Sequence, residues 1–348
     1  MKKSLLSSLM LGLALTGVTT LKAQDVSELI KSGPEDATKL VNAYFQPAFK
    51  GFGFGMNSAW FNSAKAKNLG KFDLKFQATG AFVPSKDQEM RFADLKLSDN
   101  VGWNRPTSPT FFGKDDYSAT LILKDDNGVP TGAQIDMPEG LGFHTVPSPQ
   151  VQLTVGIIKN TDVSVRYTPK FKGDDFGAIQ SWGFGVKHEI TKYLLPGKTE
   201  KIIPIDLALA FGYNQLTYDY KIKVGDQLND ENPGVDQNQR VEAKLSGYTI
   251  DAILSKKLAV FTPFVSIGYN SAKTKLDVLG KYNFKDPNPL STDYIRFTDP
   301  VKIDRTDISG LRGNVGFALH LAFFRLYASY SVGEYQAVSG GIGFGIGK

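Results

Sequence analysis

Three histidines, His144, His188 and His320, and no cysteine are what this chain of 348 residues offers for metal, thiol or redox chemistry. The histidines lie far apart, and the acidic runs at 114–116, 124–128 and 173–175 lack the ligand order of a calcium loop, so they read as solvated turns. A hydrolase needs a nucleophile, a base and an orienting group converging on one point. Ser181 and His188 are seven residues apart in one predicted strand, which sets them on opposite faces and more than about 20 Å apart. GFGFG from Gly51 and GGIGFGIG from Gly340 lack the Lys-Ser/Thr of a phosphate loop and read as close-packing glycines. No enzyme, cofactor or metal site is expected. What remains is a set of charged residues inside segments that are otherwise apolar on one face: Arg166, Lys187, Asp206, His320 and Arg325. A charge on the wet side of a membrane strand must be paired or hydrated, so these five predict a polar network or a selectivity ring in a lumen. Lys187 near the end of one strand and Asp206 near the start of the next are expected to form an ion pair.

The elements that position them alternate. KFDLKFQATGAFV from Lys71 puts Phe72, Leu74, Phe76, Ala78 and Phe82 on one face and Asp73, Lys75, Gln77 and Thr79 on the other. Segments of this kind recur to the C-terminus, each long enough to cross hydrocarbon when tilted. Mean hydropathy is mildly negative and no later run of about 18 apolar residues occurs, so a closed antiparallel barrel is the membrane structure that fits. Strands are expected at 71–83, 116–124, 131–137, 149–158, 161–169, 178–188, 203–223, 239–254, 258–284, 306–321, 323–333 and 336–347. That gives about twelve strands, or fourteen if 203–223 and 258–284 are each split. The long connections 84–115, 170–177, 224–238 and 285–305 then share one side, expected to be the cell exterior. In 203–223 the apolar set moves from odd to even positions at Asn214, which predicts a bulge.

Residues 1–23 carry a basic start, an apolar core from Leu5 to Leu15 and a cleavage site near Ala23, the pattern of a secretory leader. Its loss removes three lysines and lowers the formal charge from +5 to +2. The charges are scattered, which disfavours nucleic acid as a partner. Residues 24–70 are expected to form an N-terminal plug: short helices at 25–31 and 35–44, then a glycine-aromatic stretch containing Phe52, Phe54, Asn57 and Trp60. Residues 71–348 form the barrel. Aromatics at strand ends, Phe72, Phe82, Tyr213, Tyr218, Tyr330 and Tyr335, match interfacial girdles.

VRYTPKFKGDDFGAIQSWGFGVKHEITKYLLP from Val165, PIDLALAFGYNQL from Pro204, the NSAW segment ending at Trp60 and the closing GGIGFGIG carry a resemblance. The chain resembles an uncharacterised Bacteroidota outer-membrane family of unknown function, distantly similar to barrels of the long-chain fatty-acid transporter type. The resemblance implies an outer-membrane barrel with an N-terminal hatch, and usually fourteen strands. The expected function is a passive transporter or binding barrel for small ligands, hydrophobic ones included, with outer-membrane lipid around it. The alternative is a non-conducting accessory subunit that meets other outer-membrane proteins in an assembly or secretion complex. An apolar pocket between Phe45–Phe61 and the wall would favour the first; a filled lumen with an apolar patch on the outer loops would favour the second.

Overall fold

The period-two segments become strands that bury polar residues and expose apolar ones, the reverse of a soluble sheet. The computed structural model describes residues 28–173, 177–194, 205–286 and 291–345; the leader and its cleavage site lie outside them. Ten strands close into one barrel. They are β1 (Phe72–Phe82), β2 (Thr145–Ile158), β3 (Thr161–Gly173), β4 (Gly177–Glu189), β5 (Asp206–Lys221), β6 (Arg240–Ser255), β7 (Phe261–Leu279), β8 (Val301–Leu321), β9 (Phe324–Val332) and β10 (Gln336–Gly345). Each pairs antiparallel with its chain neighbour. The glycine-rich β10 closes on β1, with Asp73 opposite Gly345 and Phe82 opposite Gln336, so the sheet has no free edge. In β1 Asp73, Lys75, Gln77 and Thr79 are buried while Phe72, Phe76 and Phe82 are exposed. Exposed Tyr167, Trp182, Tyr248, Tyr269 and Tyr330 stand toward the long-loop end of an outward apolar belt that includes Val165, Ile250 and Ile267.

The barrel has ten strands rather than twelve or fourteen. Residues 116–124 and 131–137 do not join it; Thr120–Lys124 pairs with Pro130–Asp136 and Val101–Trp103 in a separate sheet inside connection 83–144. The reason is length and patterning. At five and seven residues these strands are short of a bilayer crossing, and Leu121, Ile122 and Leu123 in succession supply no polar face for a lumen. Segments 203–223 and 258–284 each give one barrel strand, which removes the fourteen-strand alternative. The long connections 83–144, 222–239 and 280–300 share one face; 159–160, 256–260 and 322–323 share the other, where 190–205 is the longer exception. Segment 170–177 is not a long loop, because β3 runs on to Gly173.

No bulge occurs at Asn214, since β5 keeps unbroken register with β4 and β6. The even positions face inward throughout, from Ala208 to Leu216, Tyr218 and Tyr220. What changes is the lumen. Above Asn214 the inner wall is apolar because it packs on a folded cap, and Thr217, Asp219 and Lys221 point outward beyond the apolar belt. A register shift does occur in β8, where Ala272 faces Ile308 and Lys273 faces Thr306, leaving Asp307 without a partner position. Of the expected girdle residues, Tyr218 instead faces inward onto the cap core, and Tyr335 is buried, with its hydroxyl donating to Asp87 at 2.9 Å.

Of the two short helices expected, the described part of the first is a 3-10 helix at Leu29–Ser32, and the second is one long helix, α1 (Pro34–Asn57), that runs on through the glycine-aromatic stretch. Pro34 in the first turn with Glu35 and Asp36 suits a helix start, and 24 residues span about 36 Å. The helix begins among the long loops, where Asp36 accepts from the Ser98 amide at 3.0 Å and the Tyr44 hydroxyl donates to Glu139 O at 2.7 Å. Pro47 cannot donate within the helix, and near it the Tyr44 carbonyl accepts from the Phe111 amide of the cap at 2.9 Å. The helix ends in mid-lumen. Residues 58–71 continue to the opposite mouth, where the Gly70 amide donates to Gly156 O, and β1 then turns back. One apolar core unites α1, the cap and the upper barrel wall, through Leu40, Tyr44, Phe112, Leu121, Leu276 and Ile303 among others.

Candidate functional site

The lumen holds Arg166, Lys187, Asp206, His320 and Arg325, arranged in two layers. The middle layer forms around the C-terminus of α1. The last carbonyls of a helix lack intrahelical donors and carry the negative end of its dipole. Here wall side chains supply the donors: Gln150 Nε2 to Gly55 O at 2.9 Å, Arg166 Nη1 to Met56 O at 2.6 Å, Asn214 Nδ2 to Met56 O at 3.0 Å, Arg312 Nη1 to Asn57 O at 2.8 Å and Arg166 Nη2 to Ser58 O at 3.0 Å. Arg312 is also held by Asp251 at 3.1 Å and by the Thr249 hydroxyl at 2.7 Å. Asn57 is fully buried; its Nδ2 donates to Asn270 Oδ1 at 2.5 Å and Ser271 O at 2.9 Å, and its Oδ1 accepts from Asn214 at 3.1 Å.

Trp60 lies flat in this layer. Arg166 covers one face at 3.8 Å from the ring centre, and glycines on the adjacent strands β4 and β5 make the slot. A Cβ at Gly212 would come within 2.6 Å of the indole Nε1, and one at Gly185 within 3.0 Å of the ring. Arg312, Asp251 and this glycine slot are absent from the expected site. Gly185 and Gly212 occupy inward positions directly opposite each other, a signal that appears only once the strand register is known.

The second layer lies at the short-turn mouth. Lys187 pairs with Asp162 at 2.9 Å and donates to the carbonyls of Ser63 and Lys65. The expected pair with Asp206 does not form. Lys187 stands opposite Ala210, four residues along β5 from Asp206, about 13 Å at strand rise. Asp206 is instead bound by Lys65 at 3.2 Å, which also meets Glu189 at 2.9 Å. Arg325 pairs with Asp73 at 3.1 Å, and the Tyr327 hydroxyl donates to the same carboxylate at 2.6 Å. Lys75 donates to Ala59 O and Asn62 Oδ1, both at 2.8 Å. His320 faces the same space from β8. Burial here pushes the half-buried Lys67 ammonium down to about 8. His188 is outside the lumen, hydrogen-bonded to Thr161 and stacked on Tyr193 at the strand end.

The aromatic residues of the plug are spent on packing. Phe54 is buried, Phe52 packs on the cap core, and Phe45 meets Phe49, Phe111 and Tyr44 ring to ring. None of Phe45, Phe49, Phe52 and Phe54 borders either of two cavities beside the plug. One of these, at Trp60 and Arg312, has a volume of about 10 Å³; the other, at the short-turn mouth, about 110 Å³.

Comparison with known proteins finds one family match and distant similarity to solved barrels. The sequence profile described as "Family of unknown function (DUF6588)" matches residues 1–346. No curated protein matches the sequence. Neisserial surface protein A (NspA) is 10% identical, with a TM-score of 0.26 over 78% of this chain and 96% of its own. Ail, the attachment invasion locus protein of Yersinia pestis, is 9% identical, with a TM-score of 0.28 over 80% and 98%. The translocator domain of autotransporter NalP from Neisseria meningitidis is 10% identical, with a TM-score of 0.31 over 81% and 90%. None superposes closely.

Proposed function

Since the chain belongs to the DUF6588 family, whose function is unknown, we propose from the geometry of its lumen that it is a closed outer-membrane barrel, held shut by its own N-terminal segment and carrying a folded cap at the cell surface. Its role is structural or accessory rather than catalytic, with outer-membrane lipid around the apolar belt and the long loops outside. The observation that carries this is the clamp on α1: two buried guanidiniums and two wall amides take up the carbonyls of residues 55–58. Charge-assisted hydrogen bonds in a dry interior are strong, and breaking the clamp would strip Arg166 of both its Nη acceptors and Arg312 of its Nη1 acceptor. Passage of a small apolar solute, the other role implied by a hatch, needs a path past Phe45–Phe61. Phe45, Phe49, Phe52 and Phe54 form the joint between helix and cap, while Trp60 and Phe61 border the larger cavity, whose other lining residues are chiefly polar.

Planar-bilayer recording tests the reading. The purified full chain should give no steady conductance, and a variant lacking residues 34–60 that still shifts its gel mobility on heating should give an open pore. Steady conductance from the intact protein would overturn the closed-barrel reading.

A further inference from the structure

The cavity of about 110 Å³ at the short-turn mouth has an unbalanced lining. Its two carboxylates are committed: Asp162 to Lys187, and Asp73 to Arg325 and Tyr327. Lys65, on the rim, is neutralised by Glu189 and Asp206. Three further lysines border the same space. The Lys75 side chain is almost wholly buried and bonded only to neutral oxygens. The ammonium groups of Lys67 and Lys257 hold no hydrogen bond or ion pair among the described residues.

A second observation concerns neutral groups. Thr262 is 2% exposed and its hydroxyl has no partner, although it borders the cavity. The His320 Nδ1 on the same wall is likewise buried without a partner. Buried polar groups are ordinarily satisfied, and converging cations without a counter-charge repel one another in a confined space. One ligand answers both deficits. It must be negative, accept several hydrogen bonds and be small, and the exposed Lys65 and Lys257 leave it an approach from the short-turn face.

We propose that this cavity binds a phosphate-type oxyanion, with Lys67, Lys75 and Lys257 as its charge partners and Thr262 and His320 as its hydrogen-bonding partners. The chemistry is that of a free phosphate or of a phospholipid head group reaching in from the inner leaflet. The site is independent of whether the barrel conducts, because it lies on the mouth side of the clamp around Asn57.

Calorimetric titration of the mature full-length protein, in a non-ionic detergent at low ionic strength without phosphate, tests this. The two probes are inorganic phosphate and a short-chain phosphatidylglycerol. At least one should bind, more weakly as sodium chloride is added. The Lys67→Gln/Lys257→Gln double variant should lose at least about tenfold in affinity, the scale of one charge-assisted hydrogen bond. Lys86→Gln, on the cap, should leave affinity unchanged, and Lys67→Arg/Lys257→Arg should retain it. Phosphate binding assigns a free anion, and binding of the lipid alone assigns a head group. Absence of binding by both probes to the wild type, or undiminished binding by a double variant that still shifts its gel mobility on heating, would overturn the proposal.

Discussion

A charge inside a narrow barrel is stable only beside its partner, and strand register decides which partner that is. Lys187 reaches Asp162 across the β3–β4 pairing, where the two are directly opposed, and misses Asp206 because that carboxylate is four residues along the neighbouring strand from its own partner position. Lys187→Met should destabilise the barrel by about 3–5 kcal/mol, since it strands Asp162 in the lumen. In a double-mutant cycle Lys187→Met and Asp162→Asn should couple by about 1–3 kcal/mol, whereas Lys187→Met and Asp206→Asn should add. Urea unfolding in lipid vesicles measures both cycles. Additive losses for the first pair would show that the ion pair contributes nothing.

At the scale of the element, α1 fits because its glycines lie on both of its narrow sides. Gly51 and Gly55, four residues apart, share one side and meet Val146 and Ser148 of β2; Gly53, half a turn away from each, meets Ala272 of β7 on the opposite wall. Phe52 and Phe54 project across the wider dimension between. The alternation of glycine and phenylalanine is thus the signature of a helix squeezed between two walls. A Cβ at Gly53 would lie 2.5 Å from the Ala272 Cβ, so Gly53→Val should leave the barrel intact but unseat the helix and raise bilayer conductance. Gly53→Ala combined with Ala272→Gly moves the methyl from wall to helix and should restore closure. Conductance that stays at the wild-type level in Gly53→Val would show that the contact has slack.

For the whole molecule, the path of the chain is the consequence that matters. α1 starts within the long-loop cap, descends to Asn57, and hands over to residues 58–71, which run to the short-turn mouth before β1 begins. The polypeptide therefore threads the lumen before the first strand forms, and closing β10 on β1 must enclose it. Epitope tags inserted at Gly33 and in the 125–128 turn should both be reached by antibody on intact cells, while a tag at Lys256 should be silent until the outer membrane is opened. Labelling at Lys256 without labelling at 125–128 would invert the orientation.

The sequence by itself determined the barrel, its strand boundaries to within a few residues for most strands, the one-sidedness of its long loops and the inward direction of Arg166, Lys187, Asp206, His320 and Arg325. Those properties are local, because a strand between lipid and a polar lumen must write its two faces into alternate residues. Tertiary structure alone decided that the change at Asn214 is a change of environment rather than of register, and that GFGFG is helical. It also chose Asp162 over Asp206 and brought Arg166, Arg312 and the paired glycines around Trp60 and Asn57. Each of these depends on which distant residues share a height in the barrel, and that height is set by the register and tilt of strands far apart in sequence, which no local pattern encodes.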